Sequence, residues 1–280
     1  MFSFVYRSKD LEGPPYPTVL HFRGTGFNSP ATYFAYITSS QLAVKSRCQI
    51  IEIEHRLAPE YPCPIGFEDA YECCQLIIKD HQKLEIDITK IALCGYSSGG
   101  TFAASTAIQL KKEFFLSFQI LISPLTDLSR SLRKFKAVED CDCFPDTLAQ
   151  WFIDLYLQNK HDPRSHKISP YWSEDLVNLP PTYILTAEYD RFRSDSECYL
   201  EKLIEHNIWT HKTLFKNENH MMYWKNIRVI ETIAKQLQTA FCLAPIPKSL
   251  SPIPYKCRSI MEKNVVYKAN VTKESSKEDE

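Results

Sequence analysis

Glycine is scarce in this chain, 7 residues in 280, and five of the seven fall in two short stretches: Gly24 and Gly26 in RGTGF, and Gly95, Gly99 and Gly100 in GYSSGG. Backbone that must turn left-handed or pass close to another element calls on glycine, so unusual geometry is to be sought in these two places. An excess of charge is also lacking. The 33 Lys and Arg against 34 Asp and Glu leave a formal charge of −1, which offers no broad attraction to nucleic-acid phosphates or anionic lipid, and nucleic acid is set aside as a partner. No apolar run approaches the length of a membrane span, and the opening MFSFVYRSKD carries Arg7 and Lys9 where a signal peptide would need an apolar core. A cytoplasmic, reducing location is therefore the expectation. The 10 cysteines fit it: Cys73 and Cys74 are adjacent, Cys94 lies in an apolar run, and no spacing suggests a disulfide framework. Cys141 and Cys143 have no second pair or histidine cluster at zinc-like spacing, so no metal is expected.

Apolar residues make up 44% of the chain, enough to bury a large core in one domain of α/β size. Short runs rich in β-branched and aromatic residues predict strands over 18–22, 49–54, 90–94, 118–122, 182–186 and 211–215. Apolar residues at helical spacing predict helices over 67–81, 101–112, 147–157, 194–206 and 224–242. Such alternation predicts a mostly parallel sheet with helices on both faces, whose ligands bind beyond the carboxyl ends of the strands. One domain is expected over 1–244, with a lid or cap insert over about 128–167. From 245 onward come four prolines and a polar run ending KESSKEDE, which predicts a flexible tail over 245–280. Asn270-Val271-Thr272 matches a glycosylation pattern that has no meaning without a secretory signal.

Ser97 lies in Gly95-Tyr96-Ser97-Ser98-Gly99 between KIALC and TFAASTAIQLKK. A serine hydroxyl becomes a useful nucleophile only when a base takes its proton and a sharp strand-to-helix turn presents it. Glycines two residues to either side allow that turn, because side chains there would collide where strand and helix cross. Ser98 lacks that frame, being flanked by Tyr96 and Gly100. The RGTGF loop after the first strong strand is the natural source of an oxyanion hole, with the backbone amides of Thr25, Gly26 and Ser98 as candidate donors.

The stretches RGTGF, EHRLAPEYPCPIGFEDA from Glu54, GYSSGG, SPLTD from Ser123, ISPYWSEDLVNLPPTYILTAEYDRFRSD from Ile168 and NENHMM around His220 together resemble the hormone-sensitive-lipase-like (bacterial family IV) esterases, a group of α/β-hydrolases. The resemblance covers roughly residues 5–243. It implies an α/β-hydrolase fold with a reduced cap and a serine hydrolase cleaving short- to medium-chain carboxylic esters without cofactor, its partner a small-molecule ester. A homodimer is left open. The triad order in this fold is Ser, acid, His. Asp190 follows the strand TYILTAEY and matches the group's acid, with Glu188 and Asp195 as nearby rivals. His220 comes 30 residues later in a polar loop, whereas His21 and His211 lie in strands, His55 sits in the RLAPE segment, and His81, His161, His166 and His206 lie upstream of the last strand.

Three positions depart from the group's pattern: Arg23 replaces the histidine of its HGGG loop, Thr25 the middle glycine, and Tyr96 the aspartate before the nucleophile. Thr25 would be strained if its φ must be positive, and Tyr96 either narrows the pocket or packs in the core. With few residues ahead of position 18, the cap is expected to be short and the site open. Arg130, Arg133, Lys134 and Lys136 form either a solvated face or a guide for acidic or membrane-associated substrates. The altered loop motivates an alternative, a weak or inactive binding protein of the kind seen among plant hormone receptors that resemble the group; an amide or formamide hydrolase is the other. The acidic end KESSKEDE resembles export signals of type IV secretion effectors, which opens a signal-peptide-independent route out of a bacterium.

Overall fold

The computed structural model describes residues 2–131, 145–243 and 267–270. Along the chain run β1 (Phe2–Tyr6), β2 (Tyr16–Phe22), α1 (Tyr33–Ser46), β3 (Gln49–Ile53), α2 (Ile65–Lys79), β4 (Ile86–Tyr96), α3 (Ser98–Leu110) and β5 (Phe118–Ile122). They are followed by α4 (Asp146–Leu157), β6 (Thr182–Tyr189), α5 (Arg193–Glu205), β7 (Thr210–Asn219), α6 (Met222–Lys225), α7 (Ile227–Ala240) and β8 (Tyr267–Asn270). One sheet contains all eight strands in the order β7-β6-β5-β4-β2-β3-β1-β8. The pairings from β3 through β7 are parallel, while β1 runs antiparallel to β3 and to β8. This is the α/β-hydrolase fold expected of the motifs, and no helix among the described residues is long and apolar enough to cross a membrane.

The central strands read as nearly continuous apolar runs because both faces of the sheet are covered. Leu20, Phe22, Leu93, Leu121 and Ile184 point into a core shared with α2, α3, α4 and α5. Val19, Cys94, Tyr96, Ile120 and Leu185 point the other way, into a core completed by α1, α6 and α7. The site is ordered by this two-faced arrangement, since successive residues at a strand end leave toward opposite layers.

Several elements differ from the sequence expectation. Helix α1 was not foreseen, because half of its buried face is Thr38, Ser39 and Ser46 rather than apolar residues, and the 3.6-residue apolar stripe is faint. The helix expected over 224–242 is two, α6 and α7, divided at Asn226, whose side chain accepts the Arg228 amide at 3.0 Å and caps α7. Within the segment expected to be a flexible tail, Tyr267–Asn270 forms an edge strand against β1; the remainder from 244 lies outside the described residues, as do Arg133, Lys134, Lys136, Cys141 and Cys143 of the expected cap. The described cysteines are all free thiols, and of them only Cys242 is exposed.

Candidate active site

Strand β4 lies between β2 and β5, with Phe22 opposite Gly95 on one side and Tyr96 opposite Ile122 on the other. Ser97 follows at the end of β4 with φ 55° and ψ −122°, a left-handed strand-to-helix turn that projects the side chain beyond the sheet. The flanking glycines are required by contact: a Cβ on Gly95 would meet the Gly99 carbonyl oxygen at 2.2 Å, and one on Gly99 would meet the Phe22 carbonyl oxygen at 2.2 Å. Strain at such a φ, of order 1–3 kcal/mol, persists only where the surroundings hold it. Here the Ser97 amide donates to the Ile122 carbonyl at 2.9 Å, and the Ser97 carbonyl accepts from Gly100 and Thr101 at the start of α3.

His220 leaves the end of β7 and Asp190 the end of β6, and both arrive at Ser97. The imidazole Nε2 is 3.0 Å from Ser97 Oγ and its Nδ1 is 3.0 Å from Asp190 Oδ1. His220 is 2% exposed, Asp190 6% and Ser97 8%, so the hydroxyl can be reached but little water surrounds the other two. Burial alone would raise the Asp190 carboxyl, but the imidazole beside it and the Phe192 amide, which donates to Oδ1 at 2.9 Å, hold it below the ordinary carboxylate range. An ionised carboxylate can only accept, so Nδ1 carries the hydrogen and Nε2 is left with a lone pair facing Ser97. The two rival acids are engaged elsewhere. Glu188 accepts the Asn217 amide at 2.8 Å. Asp195 accepts the amides of Thr126 and Asp127 at 3.2 and 3.0 Å, and its burial, only partly offset by Arg130, pushes its carboxyl up to about 7.

The loop after β2 brings Thr25 and Gly26 beside the serine turn. The left-handed residues of this loop are Gly26 and Phe27, at φ 58° and 71°, and Thr25 is not among them; the strain that a positive φ would impose on a β-branched residue does not arise. The Thr25 hydroxyl instead accepts the Phe27 amide at 3.2 Å and closes the turn. The Thr25 amide donates to Ser98 Oγ at 3.0 Å. Of the three candidate oxyanion donors, Thr25 is therefore committed to tying the loop to the serine turn, leaving the amides of Gly26 and Ser98.

Arg23, just ahead of this loop, is 5% exposed and paired with two carboxylates. Its Nη1 donates to Glu52 Oε1 at 2.6 Å, and Nη1 and Nη2 together form a fork onto both oxygens of Glu54. Glu52 also accepts from Ser39, and His21 bridges Ser39 and the Tyr223 hydroxyl at 3.2 and 2.9 Å. Burial would raise the Glu52 carboxyl; His21 and Arg23 outweigh it and keep the group low. Tyr96 is a packed tyrosine, not a pocket wall. It is 1% exposed, its ring lies 5.2 Å from the His220 ring at 28°, and its hydroxyl donates to the His220 carbonyl at 2.8 Å.

Helix α4, in the later part of the expected cap insert, packs on the loop after β2. Phe27 stacks on Tyr156 of α4 at 4.3 Å, and the Cys63 amide donates to the Tyr156 carbonyl at 2.9 Å. These contacts seat α4 on the loop, with the Phe152 ring against Gly26, where an added Cβ would meet three ring atoms at 3.0–3.1 Å. Periodicity marked α4 as a helix, but nothing in it singled out Phe152.

Residues 19–224 match a protein family described as having the α/β-hydrolase fold. The chain is 29% identical to the arylesterase of Saccharolobus solfataricus over 196 residues, 69% of this chain and 63% of that protein. It is 32% identical over 196 residues to esterase LipI of Mycobacterium tuberculosis, 67% of this chain and 59% of that one. It therefore spans less than two thirds of the length of these curated relatives. Among solved structures, a hyperthermophilic esterase from Pyrobaculum calidifontis superposes with a TM-score of 0.79 at 29% identity, over 86% of this chain and 82% of that one. The thermostable carboxylesterase EstE1 from a metagenomic library does so at 0.78 and 28%, over 87% and 85%.

Proposed function

The chain belongs to the α/β-hydrolase fold family, in its hormone-sensitive-lipase-like group, and from that premise we propose that it hydrolyses short- to medium-chain carboxylic esters through an acyl-enzyme intermediate. One observation carries the reading: the unbroken contact chain Ser97 Oγ to His220 Nε2 and His220 Nδ1 to Asp190 Oδ1, each link 3.0 Å.

In this mechanism Ser97 Oγ attacks the ester carbonyl as Nε2 accepts its proton, and Asp190, kept ionised, stabilises the imidazolium that forms. The amides of Gly26 and Ser98 donate to the oxygen on which negative charge develops; donors of this kind contribute several kcal/mol to lowering the barrier. The imidazolium then gives its proton to the departing alkoxide. Water, deprotonated by Nε2, attacks the acyl-serine and releases the acid. The chemistry uses only these side chains and amides.

The test is fluorophosphonate labelling together with a p-nitrophenyl ester panel from acetate to palmitate. Labelling of wild type and its loss in Ser97→Ala, with turnover down by at least about 10³-fold, is expected, as is a preference for acetate through octanoate. An unlabelled wild type would favour the binding-protein alternative, and palmitate as best substrate would refute the chain-length reading.

A further inference from the structure

We propose that Phe152 of α4 limits the size of the acyl group; this inference rests on the ester-hydrolase reading above and assigns one of its specificity determinants. Gly26 is one residue from Thr25, whose amide holds Ser98 Oγ, and Ser98 is next to the nucleophile. The Phe152 ring rests on that same glycine. Three of its atoms lie within 3.0–3.1 Å of the Cβ position that Gly26 leaves empty, so glycine there serves two needs, a left-handed φ of 58° and room for an aromatic ring. A substrate carbonyl oxygen bound to the Gly26 amide lies about 3 Å from it. The ring is therefore an immediate neighbour of the substrate.

The direction of the acyl group follows from the two layers of the fold. The face of the His220 ring packs on Tyr96, which belongs to the core on the α1 and α7 face, while Phe192 of the opposite core meets the ring in a T-shaped contact at 5.0 Å. Phe152 comes from α4, whose inward residues Ala149, Ile153 and Tyr156 belong to the core on the α2 and α3 face, together with Phe27 and Phe102. The leaving oxygen must point to Nε2, which protonates it. With one substituent of the tetrahedral carbon bound to Ser97, one in the oxyanion hole and one turned toward His220, the acyl chain takes the remaining direction, away from His220 and toward α4. There it meets the Phe152 ring. The helix cannot readily yield, because Tyr156 is stacked on Phe27 and its carbonyl is hydrogen-bonded to Cys63, and Gln158 Nε2 donates to the Pro59 carbonyl at 2.8 Å.

The experiment compares wild type, Phe152→Ala and Phe152→Trp on p-nitrophenyl acetate, butyrate, octanoate and benzoate, with active sites counted by fluorophosphonate titration. Phe152→Ala is expected to raise the octanoate-to-acetate and benzoate-to-acetate ratios of kcat/KM by 10-fold or more, and Phe152→Trp to lower them. If both variants are labelled yet all esters change by the same factor, or if the two variants move the ratios in the same direction, the size inference is overturned while the hydrolase reading stands. Absence of labelling in wild type would refute the hydrolase reading itself. Should Phe152→Ala fail to fold, Phe152→Leu and Phe152→Trp still give ratios that move in opposite directions if the inference holds.

Discussion

Removing one oxygen from Tyr96 measures what holds the histidine. In Tyr96→Phe the ring remains 5.2 Å from the imidazole, but the 2.8 Å hydrogen bond to the His220 carbonyl is lost. A neutral hydrogen bond contributes about 0.5–1.5 kcal/mol net, and a buried acceptor left without a donor costs about 1–3 kcal/mol. Since Tyr96 is 1% exposed, water does not readily replace the hydroxyl, and a loss of roughly 1–2 kcal/mol follows. At about 2–4 °C per kcal/mol for a domain of this size class, Tm should fall by roughly 2–8 °C. Turnover should fall less, within about 10-fold, because the imidazole keeps both of its ring contacts at 3.0 Å. Tyr96→Ala also removes the ring; a large-to-small change of this kind costs about 3–5 kcal/mol, and kcat should drop by more than about 100-fold with little change in KM. Differential scanning fluorimetry and kcat per titrated serine are the assays. A Tyr96→Ala enzyme with wild-type kcat would refute the reasoning, since Asp190, Ser97 and the Phe192 ring 5.0 Å from the imidazole would then orient the histidine without the tyrosine.

Gly99→Ala should abolish soluble or active enzyme, because its Cβ would lie 2.2 Å from the Phe22 carbonyl oxygen, whereas Gly13→Ala, with nothing within 4 Å, should leave Tm within about 2 °C. Arg23→Met strips the guanidinium from a fully buried Glu52 and should cost about 3–5 kcal/mol, read as a Tm loss on the order of 10 °C; an unchanged Tm would mean that the pair is energetically idle. Asp195 gives a pH test. Its folded pKa of about 7 lies above that of an unfolded aspartate, so the native state binds the proton more tightly, and stability from this group is full below about pH 4 and is lost as pH rises through about 7. Asp195→Asn keeps the acceptor oxygen and removes the titration. Its stability relative to wild type should rise by a few kcal/mol between pH 4 and 8, and equal Tm differences at pH 5 and pH 8 would contradict the assignment.

The features that could be read from the sequence are those whose cause is local. Gly95 and Gly99 mark the serine turn because the first contact they relieve, Gly95 against Gly99, involves atoms four residues away, while Asp190 is favoured over Glu188 and Asp195 by its place after a strand together with the family resemblance. The features that could not be read come from pairs of distant segments. Tyr96 and His220 are 124 residues apart, and neither side chain's neighbourhood says that the tyrosine lies beneath the imidazole. Thr25 is one of three candidate oxyanion donors by its loop position, which does not reveal that Ser98, 73 residues on, accepts its amide. Arg23 looked like a defect in the loop, and it is the two carboxylates of β3 and its extension, Glu52 and Glu54, that convert it into a strut. Charge in a core is costly unless paired, so an arginine in place of the group's histidine demands a partner within reach. On a parallel sheet the neighbouring strand supplies one: β2 pairs with β3 with His21 opposite Glu52, so residues just past that register sit side by side. A basic residue at the end of β2 and acids two residues apart at the end of β3 thus brace the start of the loop that runs on to Thr25 and Gly26.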